Sequence, residues 1–222
     1  MQPLYKYVTE ERFASALIEQ GQVYMQTLAA FRAYEDSDVR QDRHDGRLQF
    51  EPSEGLKLTP NNGQNTLLPM GWKLASSPKP DDLYVYCLST IRSEKLAERF
   101  QSPFCVEIFN PMTLMGRIKR KVAMRSQLAR GQVFHGPIEY RQKNTPPIVK
   151  WAFPEQVAFI KPPAWQWQSE YRVVVGRKGA FEVENVLTTL EFGEVENVTP
   201  PEREPLTLVV GNIAREAVLH KF

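Results

Sequence analysis

Cysteine is scarce in this chain: Cys87 and Cys105 are the only two among 222 residues. Both lie in apolar, strand-like runs, where a free thiol behaves as a small buried hydrophobe. Two such residues build no disulfide framework, so a reducing, cytoplasmic setting is the expectation. Long apolar runs are missing too. None approaches the ~20 residues of a membrane-spanning helix, so no membrane partner is expected. The opening residues, MQPLYKYVTEERF, lack the basic-then-apolar layout of a secretory leader. A toxin delivered without such a leader is compatible with the same composition. An excess of charge of one sign is nearly absent, at a net +2, which is too small to imply a partner. The chain has no P-loop, no G-x-G-x-x-G and no zinc motif, and His44, His135 and His220 stand alone. It has no G-x-S-x-G elbow either.

What is present is the composition of a soluble globular protein, 42% hydrophobic and 24% charged. The length suits a single domain over residues 1–222 with a sizeable core. Seventeen prolines against twelve glycines predict many ordered turns and few long helices. Many short strands without a βαβ rhythm give an α+β fold with mainly antiparallel sheets. Leu4 to Val8 reads as a strand with Tyr5 and Tyr7 on one face. Thr9 then stands as an N-cap, with Glu10 and Glu11 in the first turn of a helix that Gly21 ends. Val23 to Leu28 returns as a strand. Leu83 to Thr90 (LYVYCLST) is apolar on both faces and reads as the central strand. Ser93 to Phe100 fits a short helix and Phe104 to Ile108 a strand. Asn110 and Pro111 open the longest helix, to about Ala129, with Leu114, Met115, Ile118 and Val122 as its buried stripe. His135 is placed in a turn. Ile148–Phe153, Val157–Ile160, Phe181–Val186 and Leu206–Val210 read as strands, and Asn212–His220 as a final helix.

Two stretches carry open alternatives. Tyr34 to Arg47 holds Glu35, Asp36, Asp38, Asp42, His44 and Asp45, interleaved with Arg40, Arg43 and Arg47. The acids could gather a hard divalent cation, though their spacing fits no calcium loop. They could equally form a solvated loop laced with ion pairs, or one arginine could clamp a pyrophosphate. Residues 51–82, rich in Pro, Asn, Gly and Ser, read as a long surface excursion. On the long helix, Arg117, Lys121 and Arg125 either face solvent or meet the phosphates of RNA or DNA.

The chain is organised around Phe159–Val175, FIKPPAWQWQSEYRVVV. Pro162 and Pro163 force an extended entry, after which Gln168–Val175 alternates as a strand. Period two places Gln168, Glu170 and Arg172 on one face. This is either a half-exposed strand with an ion pair of little energetic weight, or a site.

The run Lys161, Trp165, Glu170, Arg172 resembles the C-terminal signature of a broad family of bacterial proteins encoded near phage-defence or toxin genes. That family also opens with a Tyr-Lys-Tyr strand and carries a Cys-x-Ser strand midway. Here these are Tyr5-Lys6-Tyr7 and Cys87-Leu88-Ser89, in the same order. Gln168-Ser169-Glu170 resembles the Gln-x-Glu motif of the ADP-ribosyltransferases. Ser89-Thr90 resembles the start of that superfamily's Ser-Thr-Ser motif, from which Ile91 departs. The first strand also offers tyrosines and a lysine where the arginine-type enzymes carry an arginine.

The resemblance implies a split, two-sheet ADP-ribosyltransferase-like fold with NAD in the cleft between the sheets. Breaking the nicotinamide–ribose bond passes through an oxocarbenium-like state and needs a carboxylate near the developing charge. Glu170 and Gln168 would be catalytic. Tyr5, Tyr7, Ser89, Thr90 and Arg172 would hold NAD, and Trp165 or Trp167 would exclude water from the cleft. A protein, RNA or DNA acceptor and a cognate antitoxin are the partners this implies. Two rivals remain: a metal-dependent nuclease using the Asp36–Asp45 acids, and a non-catalytic binding module that keeps the fold. The last expectation is spatial. Ser89 and Thr90 should lie beside Gln168–Arg172, with Tyr5 or Tyr7 closing the same cleft.

Overall fold

The computed structural model describes residues 2–33, 43–59, 63–193 and 200–222. The expectations for Glu35, Asp36, Asp38, Arg40 and Asp42 fall outside the described residues. Strand β1 (Leu4–Val8) leads into α1 (Glu11–Ser15), which widens to a π-helical turn over Ala16–Gln20 before β2 (Gln22–Thr27). The N-cap is Glu10, not Thr9, because the backbone stays extended for one residue more, and no side chain caps it. Gly21 closes the turn as expected, at φ +65°. A Cβ there would stand 2.1 Å from the Gly211 carbonyl oxygen, so only glycine fits. Helix α2 (Leu28–Ala33) and strand β3 (Leu48–Phe50) follow.

The supposed excursion is built. It contains a hairpin of β4 (Leu56–Leu58) and β5 (Thr66–Leu68), then strand β6 (Trp72–Pro78). Next come β7 (Leu83–Ser89), α3 (Glu94–Arg99) and β8 (Phe104–Ile108), all close to expectation, and α4 (Pro111–Ala123), which begins where expected. Asn110 caps α4 by accepting from the Thr113 N–H. Helix α4 stops at Ala123 rather than Ala129, because Leu128 already begins the ten-residue strand β9 (Leu128–Pro137). His135 therefore sits inside a strand, opposite Val173, and not in a turn.

Strand β10 (Glu139–Tyr140) comes next. Where two strands were expected, a 3-10 turn (Val149–Ala152) and helix α5 (Pro154–Val157) stand instead, Pro154 opening the helix as a first-turn proline does. Strand β11 (Ile160–Lys161) pairs parallel with β10. Residues Pro163–Gln168 form another 3-10 turn, so β12 runs Glu170–Arg177 and Gln168 lies before it, not on its face. Strand β13 (Val186–Phe192) replaces the expected strand at Phe181–Val186, and β14 (Leu206–Val209) matches its expected place. The expected C-terminal helix is instead strand β15 (Ala217–Lys221), whose backbone bonds go to the outer edge of β8.

The fold is α+β and mostly antiparallel. The main sheet runs β14-β2-β7-β1-β8-β15, with β12 also on β7 and β9 on β12. It forks at β7. One edge of β7 pairs with β12 along its whole length. The other edge is shared between β2, at Tyr84 and Val85, and β1, at Ser89. A smaller sheet, β13-β6-β3, takes β6 from the excursion, and the β4–β5 hairpin is a two-stranded sheet of its own. On one face of the main sheet Tyr84, Tyr86, Leu88, Tyr171, Val173 and Val175 pack on the α4 stripe. On the other, Leu83, Val85 and Val174 pack with Leu28, Ala158 and Phe181. Such two-sided burial is why β7 and β12 read as near-continuous apolar runs. Among the described residues, no helix is long and apolar enough to cross a membrane.

Candidate functional site

The site lies where β12 begins. Ser169, between Gln168 and Glu170, adopts a left-handed conformation at φ +45°, uncommon for a residue with a side chain. The end of β7 holds this corner. The Ser89 hydroxyl donates to the Gln168 carbonyl at 3.1 Å. The Thr90 N–H and hydroxyl both donate to the Ser169 carbonyl, at 2.8 and 3.1 Å. Ser89 and Thr90 thus brace the turn through its backbone. The Glu170 N–H donates to the Tyr140 hydroxyl at 3.1 Å, and the Ile138 N–H to the Glu170 carbonyl at 2.9 Å. Across the sheet, Tyr5, Ser89 and Glu170 are direct partners on three adjacent strands. Directly opposed residues share a face, with Cα atoms about 4.5–5.5 Å apart. The expected adjacency of Glu170, Ser89 and Tyr5 is present, but neither of the two clefts described below is closed by them.

Below that row is a buried network of four charges. The Arg172 Nε donates to Glu170 Oε1 at 2.7 Å. Its Nη1 and Nη2 grip the two Asp45 oxygens at 2.7 and 3.0 Å, and Nη1 also donates to the Ala158 carbonyl at 2.6 Å. Lys161 Nζ stands 2.8 Å from Glu170 Oε2 and 3.5 Å from Asp45 Oδ2, and donates to Gln168 Oε1 at 3.1 Å. Arg172 thus holds one Glu170 oxygen and Lys161 the other. Arg172 is 0% exposed, Asp45 1%, Glu170 4% and Lys161 6%, so two acids and two bases neutralise each other out of water. Asp45 reaches the network from a turn that Arg32 fixes, donating to the Asp45 carbonyl at 2.7 Å and the Gly46 carbonyl at 2.9 Å.

This corrects two expectations. Asp45 is a buried counter-ion, neither a solvated loop residue nor part of a metal cluster. Among the described residues, no group of three His, Cys, Asp or Glu side chains could hold a metal. Arg172, with no exposed surface and all three nitrogens engaged, keeps Glu170 ionised but offers nothing to a cofactor.

Burial alone would raise the Glu170 pKa, but the charges of Arg172 and Lys161 outweigh it and hold the carboxyl well below the usual range. The Cys87 thiol, opposite Arg172, goes the other way: burial, helped by Glu170, pushes it up to about 12, so it is inert at neutral pH. For Glu170 the folded pKa lies below the unfolded value of ~4.3. Its contribution is therefore complete above that unfolded value and is lost as pH falls toward the folded one. The stability gap between the wild type and Glu170→Gln is expected to narrow as urea titrations move from pH 7 to pH 3. A gap that stays constant with pH would show that Glu170 is not held as a buried carboxylate.

The other site residues are distributed as follows. The Tyr5 hydroxyl lies 3.5 Å from Glu107 Oε1, on the face it shares with Ser89. The Tyr7 hydroxyl accepts from the Ser93 N–H at 2.8 Å and donates to the Ile91 carbonyl at 3.1 Å, so it ties down the loop after β7. Burial pushes its pKa up to about 12. Trp165, Trp167, Phe100, Tyr7 and Phe222 form a ladder of ring contacts, with the Arg99 guanidinium 3.6 Å over Trp167. Of the residues expected on one basic helix face, Arg125 lies beyond the end of α4, and both Arg117 and Arg125 are occupied. Arg117 donates to the Asn212 carbonyl and pairs with Glu216, and Arg125 donates to the Thr207 carbonyl. Lys121 is exposed.

Sequence reading missed Asp45 as the partner of Arg172 and Tyr140 as the partner of the Glu170 N–H. The signal for Asp45 was indirect: an arginine on a strand buried on both faces needs more acceptors than one glutamate supplies. Two clefts open nearby. One is lined by Arg47, Arg141, Lys143 and Lys161 among others, the second by Phe134, His135, Glu139 and Phe159 among others. Neither has Glu170, Ser89 or Tyr5 on its wall. Comparison with protein-family models, curated proteins and solved structures found no match, so the chemistry of this site is argued from its own geometry.

Proposed function

We propose that the chain is an NAD-dependent ADP-ribosyltransferase, a toxin or phage-defence effector, whose Glu170 is held in a closed, ion-paired state before substrate arrives. The observation supporting this reading is the register of Tyr5, Ser89 and Glu170 across three adjacent strands. It brings the three sequence patches of the resemblance onto one face. Arg172 keeps Glu170 negative, which is the charge needed as the ribose becomes cationic. Oε2, which meets Lys161 while Arg172 holds Oε1, is the atom suited to a ribose hydroxyl of NAD. Reaching it requires Lys161 to withdraw. Gln168, already bonded to Lys161, moves with it and orients the acceptor. The ring of Trp165, whose centroid is 5.6 Å from Lys161 Nζ, screens the opening from water.

A second reading has its own support: a binding module that keeps the strand core without the reaction. Both Glu170 oxygens are contacted by cations, and the residue is 4% exposed. One experiment separates the two. The protein is incubated with NAD labelled in the adenylate half and a bacterial lysate, then portions are treated with protease or nuclease. Label on a macromolecule, released by only one of the two treatments, is the expected result and identifies the acceptor as protein or nucleic acid. Intact NAD after long incubation would retire the transferase reading in favour of the binding module.

A further inference from the structure

We propose that the cleft beside β3 and β11 is a binding site for a phosphate monoester, separate from the Glu170 row. Its wall carries Arg47, Arg141, Lys143 and Lys161 and not one carboxylate. Two residues of that wall have a buried donor with no acceptor: Nη1 of Arg141 and the indole Nε1 of Trp151. Trp151 is itself only 7% exposed. Arg141 is fixed by its other nitrogens, with Nη2 donating to the Pro146 carbonyl at 3.2 Å and Nε 3.6 Å from Glu139. Arg47 is fixed by its ion pair to Glu191.

A buried donor left unpaired is costly, and most buried polar groups in folded proteins have a partner. Two on residues that line one cationic cleft call for a compact ligand rich in acceptors. A phosphate monoester has three terminal oxygens and up to two negative charges, and enters end-on. A phosphodiester inside a nucleic-acid strand is flanked by sugars on both sides and does not reach buried donors. A carboxylate has fewer oxygens and half the charge. Lys161 belongs to both this cleft and the Glu170 network, but the cleft's chemistry holds whether or not Glu170 is catalytic.

The test titrates inorganic phosphate, AMP, acetate and a single-stranded RNA blocked at both ends into the full chain by calorimetry. The variants are Arg141→Gln, Lys143→Gln and Trp151→Phe, the last removing the N–H while keeping an aromatic ring. Saturable binding of phosphate or AMP is expected in the wild type, weaker at least tenfold in Arg141→Gln and reduced in Trp151→Phe, with none for acetate. AMP binding tighter than phosphate identifies a nucleotide; equal affinities identify the phosphate group alone. Lys143 is exposed, so its variant keeps the fold and decides the matter if the other two do not fold. The proposal is overturned if neither phosphate nor AMP binds saturably, if the folded variants bind as the wild type does, or if only the blocked RNA binds.

Discussion

Replacing Arg172 with methionine is expected to lower the unfolding free energy by about 3–5 kcal/mol. The side chain is wholly buried and donates to Glu170, to both oxygens of Asp45 and to the Ala158 carbonyl. Methionine fills much of the same space, so packing is largely kept and the loss comes from the charges left behind. Two buried carboxylates would then share Lys161 as their one cation. Each uncompensated charge must be desolvated without return, which costs far more than an exposed ion pair ever contributes. In urea the midpoint should fall while the slope is unchanged, because the same surface is exposed on unfolding. A midpoint shift worth less than about 1 kcal/mol would mean that the network adjusts freely and is not a fixed element of the fold. The intact network is not for that reason a large source of stability. An apolar set of equal volume at all four positions often serves a fold as well. That is a physical reason to look for a second role for these charges, beyond holding the chain together.

Glu170→Gln is expected to reduce the proposed ADP-ribosyl transfer by roughly 100-fold or more, on the scale of losing one preorganised electrostatic contact in a transition state. NAD affinity should change far less. The carboxylate's charge matters when the ribose becomes cationic, and the neutral amide can still meet a hydroxyl in the ground state. The loss should therefore appear in kcat, with KM nearly constant. Because the amide also unbalances Arg172 and Lys161, turnover must be read at a temperature where the variant is fully folded by circular dichroism. Near-wild-type turnover under those conditions would remove Glu170 from the chemistry.

The parts of this fold that the sequence made legible are those whose local and tertiary preferences agree. Strand β7 is mostly apolar on both faces and falls near its expected bounds, and α4 opens on Asn110–Pro111 with an apolar stripe, where its start was expected. Gly21 marks a left-handed cap that no other residue could fill. Strand β9 was hidden because LARGQVFHGP mixes two glycines and a proline with charge, and its residues are mostly half-buried. What makes it a strand is the waiting edge of β12. The same holds for β15, where AREAVLHK has helical composition and the edge of β8 overrides it. At the site, the face shared by Glu170 and Arg172 was readable from period two alone. Gln168 was misplaced by one turn, since the left-handed Ser169 breaks the alternation before Glu170. Asp45 was one of several acids in a charged stretch, and nothing local distinguished it from the others.

The bond between Arg172 and Asp45 also has a place in time. These residues are 127 positions apart. Closing so long a loop is entropically expensive, and contacts of that separation slow folding. Neither charge gains from leaving water until its partner is already positioned. Strand β12 is therefore expected to seat on β7 before the turn carrying Asp45 docks against it, with the ion pair among the last contacts to form.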